Sequence, residues 1–434
     1  MSFKSRLFFK LAILPCFLLL NVLLGTVVQA AEIKSVDAKE GSALSYFNQL
    51  SHSGIVLQDE QQKLLISKSA HDYFIPASTT KLITALLSLR HWGADHRFKT
   101  EFYLSQQIEQ GGYKLLVKGF GDPFLVSEEL AVVAKQLAEK LKQQQIHSLL
   151  AIQLDVSYYK SGLKLPGASL SDNPYDAIPS ALAANFNTIN IRKTAQGFES
   201  AELQTPMTQT AFKAAQNIRS FKKINKGNKV GLEQRVNLGR DEKVGQRYFA
   251  ELLAAFLIEQ GIQVGDQVEW QTLDLAEQTH IYSHLNSLSL DEMIRPMMKY
   301  STNFIANQLA LNLSSEVMGG VASEQKVAKI YQQQLSQFFG WQQFHIEEGA
   351  GLSRANRLTP TQLIEVLAAF KPWHHLLPEI EQDVFAKSGS LIGVSTLAGY
   401  IRNESAWYPF VFMINQKVPY RFRNRLAKEL SERY

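Results

Sequence analysis

Strand-forming stretches at the two ends of this chain read as complementary pieces of one sheet. Ser53–Gln58 and Lys63–Lys68, around the polar turn Asp59-Glu60-Gln61-Gln62, form a β-hairpin pattern. Asp383–Leu391, Ser395–Arg402 and Trp407–Asn415 are three further strand candidates joined by short turns, and a basic helix over Tyr420–Arg433 closes the chain. A short helix over Ala43–Leu50 and a strongly helical region from Leu288 supply covering layers. The expectation is an α/β (α+β) sandwich, an antiparallel sheet covered by helices, with residues of about 96–275 inserted between its halves. The expected organisation is an export segment over 1–30, a first half over 31–95, the insertion over 96–275 and a second half over 276–434.

At 434 residues the chain is long enough for two domains with full cores, and 45% hydrophobic against 20% charged residues marks it as globular. Lys4, Arg6 and Lys10 precede an apolar run from Leu11 to Val28, and Val28-Gln29-Ala30 resembles a small-residue cleavage site, so a secretory signal cleaved after Ala30 is expected. Were that segment retained, it would hold the protein at the membrane periphery. Its removal takes three basic and no acidic residues and lowers the formal net charge from +5 to +2, which gives no case for nucleic-acid binding. The single cysteine, Cys16, lies inside the segment, so the exported chain has no thiol or disulfide.

Within the insertion the pattern predicts a hairpin (Phe98–Gln107 and Tyr113–Lys118) and a helix over Ser127–Gln145 capped by Ser127. A strand over Ser148–Asp155 and a surface loop from Tyr158 to Pro179 follow, then a helix over Gln246–Gln260 and a strand over Gln263–Trp270. Arg192 to Arg240 is polar and weakly periodic, and Lys222, Lys223, Lys226 and Lys229 read as a solvated face.

Chemistry enters at Pro76-Ala77-Ser78-Thr79-Thr80-Lys81, where a proline leads into a small-residue turn and an apolar helix. Ser78 and Lys81 share a helix face, which permits a serine nucleophile deprotonated by a lysine. The spacing alone is weak, because Ser157/Lys160, Ser161/Lys164, Ser220/Lys223 and Ser323/Lys326 repeat it. Partners single out the first pair. Ser301 of Ser301-Thr302-Asn303 can pass a proton between Lys81 and a leaving group, and Asn303 can donate an amide hydrogen to a substrate backbone. In the strand Lys387-Ser388-Gly389-Ser390, Lys387 and Ser388 can bind a terminal carboxylate and Gly389 allows close approach. The amides of Ser78 and Ser390 can form an oxyanion hole. A second Lys-Ser-Gly (Lys160–Gly162) and Ser-x-Asn (Ser171–Asn173) sit together in the loop, in the wrong order, with no helix or strand to fix them. No His-Glu-x-x-His occurs among the ten scattered histidines, and the constellation calls for neither metal nor cofactor.

The order Ser-x-x-Lys, Ser-x-Asn, Lys-Ser-Gly is that of active-site serine penicillin-recognising enzymes. With Gly119-Phe120-Gly121-Asp122-Pro123, Asn173-Pro174-Tyr175, Asn185-Phe186-Asn187, Gly351-Leu352-Ser353-Arg354 and Leu397-Ala398-Gly399-Tyr400, the chain resembles the class C low-molecular-mass penicillin-binding proteins. The resemblance implies a β-lactamase/transpeptidase-like fold interrupted by extra domains. It also implies periplasmic D-alanyl-D-alanine carboxypeptidase or endopeptidase action on peptidoglycan stem peptides through a Ser78 acyl-enzyme, and acylation by β-lactam antibiotics. By the same resemblance Asp155 and Arg354 match positions contacting the diaminopimelate end of the stem. Departures are Lys-Ser-Gly for Lys-Thr-Gly, Ser301-Thr302-Asn303 for Ser-Asp-Asn, Asn307 where glutamate is common and Glu348-Gly349-Ala350 for Asp-Gly-Ser. Two other readings stay open: a β-lactamase or esterase on the same scaffold, for which no glutamate base is assignable, and a non-catalytic wall-binding protein, against which the intact residue set stands.

Overall fold

The computed structural model describes residues 41–434 apart from 109–111, 170, 227–228, 239–240 and 405. The expected export segment and Cys16 lie outside the described residues. Helix α1 (Ala43–Gln49) starts where the Ser42 hydroxyl accepts from the Ser45 amide, and it buries Leu44 and Phe47. Strands β1 (Ser53–Gln58) and β2 (Leu64–Lys68) form the expected hairpin. A 3-10 turn over Ala77–Thr79 then leads into α2 (Thr80–Trp92), whose residues from Thr80 to Leu89 are all buried. A helix buried all round over ten residues, with Thr80, Lys81, Thr84 and Ser88 as its polar members, is a core element.

The middle of the chain builds β3 (Lys99–Leu104), β4 (Leu115–Gly119), α3 (Ser127–Gln143), β5 (Ser148–Asp155), β6 (Thr188–Thr194), β7 (Gly197–Ser200), α4 (Gln209–Gln216), β8 (Lys222–Lys226), β9 (Lys229–Asn237), α5 (Glu242–Glu259), β10 (Gln263–Trp270) and β11 (Thr279–Leu285). They make two sheets, a mixed one of order β10-β5-β4-β3-β11 and an antiparallel one of order β7-β6-β9-β8. In α3, Leu130, Val133, Ala134, Leu137, Ala138 and Leu141 form one buried stripe. Ser127 is the first helical residue rather than the cap; that position is Val126, and the Ser127 amide donates to the Asn185 Oδ1 at 2.9 Å. The β6–β9 sheet corrects the weakly periodic reading of 192–240. Ile189, Ile191 and Val236 enter the core while Asn190, Arg192 and Arg235 stay partly exposed, so each strand offers only two or three apolar positions. Lys222 and Lys223 are exposed on β8, as a solvated face should be.

The last third supplies α6 (Leu290–Tyr300), α7 (Asn303–Met318), α8 (Glu324–Phe339), α9 (Pro360–Phe370), β12 (Glu379–Glu381), β13 (Val384–Leu391), β14 (Val394–Asn403), β15 (Ala406–Ile414) and α10 (Phe422–Ser431). The two chain ends meet in one antiparallel sheet of order β12-β13-β14-β15-β1-β2, with β1 pairing β15 from Ser53↔Ile414 to Leu57↔Phe410. The period of two divides β15 between two cores. Val411 and Met413 face α2, α7 and α9; Phe410, Phe412 and Ile414 face α1 and α10. Each fully buried side chain of this size contributes about 1.5–3 kcal/mol. No helix among the described residues is long and apolar enough to cross a membrane.

Helix α7 fastens the middle sheets to the terminal one through side-chain amides. Asn303 Nδ2 donates to the Tyr175 carbonyl at 3.2 Å, Gln308 Nε2 to the Ser180 carbonyl at 2.9 Å and Asn312 Nδ2 to the Gly121 carbonyl at 2.8 Å. Gly121, at φ +74, has no room for a side chain against Tyr159 and Asn312. The next residue is Asp122, whose buried carboxylate accepts from Asn286 Nδ2 at 2.9 Å and from the Phe124 amide at 2.9 Å. The Gly119–Pro123 motif is therefore a fastening.

Candidate active site

Ser78 stands in a turn held from three sides. The Pro76 carbonyl accepts from the Thr79 hydroxyl at 2.6 Å and from the Thr396 hydroxyl of β14 at 2.8 Å, and the buried Ala77 adopts a left-handed φ of +47. An alanine there carries backbone strain that the surrounding structure has to hold. Gly389 of β13 lies against the turn: a Cβ on it would come within 2.8 Å of the Ser78 nitrogen and 2.9 Å of the Pro76 carbonyl. Gly351, at φ +83, approaches from the other side, where a Cβ would strike the Ala77 carbonyl. The two glycines thus belong to the turn as much as to their own segments.

The Lys81 side chain is fully buried. Its Nζ lies 3.1 Å from Ser78 Oγ, 2.7 Å from Asn303 Oδ1 and 2.7 Å from the Ala350 carbonyl. The last two atoms can only accept. A neutral amine has two N–H donors and one lone pair, so with both donors engaged the lone pair is left for the Ser78 hydroxyl. Burial pushes the Lys81 ammonium down to about 7, with the Glu348 carboxylate pulling the other way.

Glu348 is itself fully buried, and burial raises its pKa against hydrogen bonds from the loop it organises. It accepts from the amides of Ala350 at 2.8 Å, Gly351 at 3.1 Å and Ser353 at 3.2 Å, and from Asn356 Nδ2 at 3.0 Å. Asn307 Oδ1 accepts from the Gly349 amide at 3.0 Å. Two of the four departures noted in the sequence, Asn307 and Glu348, therefore shape the loop that presents the Ala350 carbonyl to Lys81.

Ser301 takes a left-handed conformation (φ 57, ψ 40) between α6 and α7, splitting what reads in sequence as one helical run. Its hydroxyl accepts from Lys387 Nζ at 3.0 Å, and the same ammonium donates to the Ser388 carbonyl at 2.7 Å. The Lys387 pKa falls well below its ordinary value, first through burial and then through the charges of Lys81 and Arg423. Asn303 turns its oxygen to Lys81 and its amide hydrogens to the Tyr175 carbonyl. Ser388 is half-buried and Ser390 exposed, and the Ser390 hydroxyl accepts from Arg423 Nη1 at 2.7 Å. Arg423 also donates to the Gly389 carbonyl at 2.6 Å. β12 pairs β13 only at Val384 and Phe385, so among the described residues the outer edge of β13 has no strand neighbour through Lys387–Ser390.

Two residues of the expected set hold other partners. Asp155, at the buried end of β5, accepts from the Ser157 amide at 2.9 Å, the Leu273 amide at 3.1 Å and Lys118 Nζ at 3.2 Å. Arg354 is exposed and donates to the Ile392 carbonyl at 3.0 Å, on the turn joining β13 to β14. The repeated motifs resolve as ordinary structure: Ser161 donates to Glu242, Lys160 pairs with Glu324, and Ser323 caps α8. Sequence reasoning missed Arg423, the carboxylate of Glu348 and the Tyr175 carbonyl. Arg423 is one of five cations on the terminal helix and its flanks and has no signal of its own; Tyr175 was visible only as part of a motif.

The family described as D-Ala-D-Ala carboxypeptidase 3 (S13) matches residues 42–380. A D-alanyl-D-alanine carboxypeptidase of Actinomadura sp. (strain R39) is 24% identical over 447 residues, covering 88% of this chain and 81% of that one. A penicillin-sensitive carboxypeptidase A of Dictyostelium discoideum is 23% identical over 394 residues, covering 76% and 74%. Among solved structures, penicillin binding protein 4 of Haemophilus influenzae superposes with a TM-score of 0.69 at 20% identity, over 90% of this chain and 98% of that one.

Proposed function

The chain belongs to the D-Ala-D-Ala carboxypeptidase 3 (S13) family, and from that premise we propose how its own residues carry the reaction. The protein is a serine-type D-Ala-D-Ala carboxypeptidase acting on peptidoglycan stem peptides, with Ser78 as nucleophile and Lys81 as base. The observation that carries this assignment is the Lys81 amine, buried, held by two obligate acceptors and 3.1 Å from Ser78 Oγ, toward which its neutral form turns a lone pair.

In acylation Ser78 Oγ attacks the carbonyl carbon between the two D-alanines and its proton passes to Lys81 Nζ. The amides of Ser78 and Ser390 receive the negative oxygen. The C–N bond breaks as the departing amine takes a proton from Ser301 Oγ, which Lys81 reprotonates; the hydrogen bond from Lys387 holds that hydroxyl in place. Water then attacks the ester, releasing the shortened stem and restoring Ser78. The open edge of β13 suits an extended peptide added as a strand, with Lys387, Ser388 and Arg423 near its terminal carboxylate. Asn303 would exchange the Tyr175 carbonyl for a substrate carbonyl. Asp155 and Arg354 are assigned to the far end of the stem on the resemblance alone, and Arg354, exposed beside the β13–β14 turn, is the better placed. A β-lactam enters the same acylation, but its departing amine stays attached.

The wall substrate calls for export, and the basic and apolar pattern of residues 1–30 supports a periplasmic location reached through a cleaved signal. Residues 96–275 are read as an insertion serving substrate rather than chemistry, since the catalytic set comes from the Ala77–Thr79 turn, α2, the α6–α7 junction and β13.

Labelling with a fluorescent penicillin tests the assignment. The wild-type protein is expected to give a stable label that Ser78→Ala lacks, and to release D-alanine from a pentapeptide. A wild-type protein that takes no label would sink the reading; rapid loss of label would mark a β-lactamase instead.

A further inference from the structure

We propose that the groove walled by β6 and β9 is a saccharide site, taking the glycan strand to which the stem peptide under attack is joined. The proposal rests on the reading of Ser78 as acting on wall stem peptides. The cavity has a volume of about 1380 Å³ and runs from the β6–β9 sheet to the first turn of α7, with Tyr175, Thr302 and Asn303 in its lining. A pocket for a single small ligand holds ~300–1,000 Å³, so this space exceeds what a D-alanyl terminus needs. It opens beside Asn303, whose Oδ1 also accepts from Lys81.

The chemistry of the walls favours a neutral, hydroxyl-rich occupant. Arg235 is paired with Glu202, and Glu233 with Arg192 at 2.8 Å, so these charges are balanced within the protein. Arg219 and Lys222 also line the cavity, so a second stem peptide with free carboxylates is the competing occupant, and a peptide dimer enters the test below for that reason. Hydroxyl and acetamido groups can use the amide side chains of Asn190 and Gln204, which line the same walls; Gln204 Nε2 donates one hydrogen to Glu128 at 2.8 Å and keeps a second hydrogen and its oxygen. At the rim stand Tyr175 and Tyr300, 58% and 66% exposed. Large aromatic faces left in water mark binding surfaces, and a tyrosine offers an apolar face with a polar tip, as a sugar ring does.

The groove is also tied to the catalytic centre. Asn237 at the end of β9 donates to the Ser171 carbonyl at 2.6 Å and the Asn173 carbonyl at 2.8 Å, and two residues on, the Tyr175 carbonyl takes the Asn303 amide. One loop therefore forms a wall of the groove on one side and meets the active-site asparagine on the other. A glycan seated there would position its stem over Ser78, which appears in KM rather than in the chemical step.

Two measurements on the purified protein test this. Calorimetric titration with chitotetraose, which has no peptide, reads the groove whatever the turnover; binding to wild type that Asn190→Ala/Gln204→Ala weakens at least tenfold supports the proposal. Kinetics then compare a bare pentapeptide with the same pentapeptide on its disaccharide. The expected result is a KM at least tenfold lower for the sugar-linked substrate, a gap that closes in the double variant and narrows in Tyr300→Ala, with penicillin labelling and bare-peptide kcat unchanged. Absence of chitotetraose binding, or equal KM values in wild type, overturns the saccharide site while leaving the Ser78 assignment standing. A KM gain for a sugar-free cross-linked peptide dimer, lost in the same double variant, overturns it in favour of a second stem. Failure of penicillin labelling is the separate failure of the Ser78 assignment.

Discussion

The proposed catalytic centre and the β6–β9 sheet treat charge in opposite ways. Around Ser78 the ionisable groups are buried among neutral partners: Lys81 on two carbonyl oxygens, Lys387 on a hydroxyl and a backbone carbonyl, Glu348 on three amides. On the β6–β9 sheet, cations meet carboxylates in partly exposed pairs, Arg192 with Glu199 and Glu233, Arg235 with Glu202. Desolvation without full pairing disfavours the charged form of a group, whereas an opposite charge close by favours it, as the carboxylates of Glu233 and Glu199 do for Arg192. The first arrangement is costly and stores reactivity; the second is cheap and holds shape. Substitutions that cross the two regimes should therefore differ in kind as well as in size.

The largest effect is expected at Lys81. Lys81→Met removes the base and should lower the rate of penicillin acylation by on the order of 10²–10⁴-fold, measured by stopped-flow or gel-based labelling. The fold should survive, because methionine fills similar space without a buried charge. A variant that acylates at the wild-type rate would show that Lys81 is structural and would erase the contrast between the regions.

Paired glycines sharpen the same contrast. Gly389→Ala pushes a methyl group to within 2.8 Å of the Ser78 nitrogen, and a displacement of that size should cost about 10²-fold in acylation. Gly231→Ala on β9 meets nothing closer than 3.8 Å and should leave both acylation and melting temperature near wild type. Equal losses at the two positions would mean that Gly389 matters as a strand residue rather than as the wall of the nucleophile's turn.

Acidity acts on one region only. Lys81 takes the Ser78 proton only as the neutral amine, and its pKa is pushed down to about 7. As pH falls below that value the neutral fraction drops about tenfold per unit, so acylation should slow by roughly that factor per unit down to pH 5 and level off above about pH 8. A pH–rate profile of penicillin labelling checks this; a flat profile between pH 5 and 8 would exclude Lys81 as the titrating base.

The parts of this picture differ in how far they could be read from residues alone. The terminal sheet was legible because its strands are apolar runs set off by short polar turns, and α2 because six of the ten residues from Thr80 to Leu89 are apolar with no proline or glycine among them. The grouping of Ser78, Lys81, Ser301, Asn303 and Lys387 was legible because order along the chain separates them from the copies in the 158–179 loop. The β6–β9 sheet was not, since short half-buried strands with lysines on the open face carry little periodicity. Partnerships were hidden as well. That Ser301 meets Lys387, that Arg423 reaches Gly389, and that Asn303 is shared between Lys81 and Tyr175 all depend on where distant elements come to rest.

The smallest effect is expected at Arg192, and it tests the other side of the contrast. Its guanidinium bonds Glu233 at 2.8 Å and Glu199 at 3.1 Å while a quarter of the side chain remains exposed. Partly exposed pairs of this kind are worth about 0–1 kcal/mol, and a network with one buried partner lies toward the upper end. Arg192→Met should therefore shift chemical-denaturation stability by about 1 kcal/mol or less and leave penicillin acylation unchanged. Glu233, nearly buried, sets the sign: stripped of its guanidinium it retains a charge with less compensation, so the shift should be destabilising and should shrink in Arg192→Met/Glu233→Gln. A loss of several kcal/mol from the single variant would show that the β6–β9 sheet, like the catalytic centre, depends on a desolvated charge, and the two regions would then share one electrostatic regime.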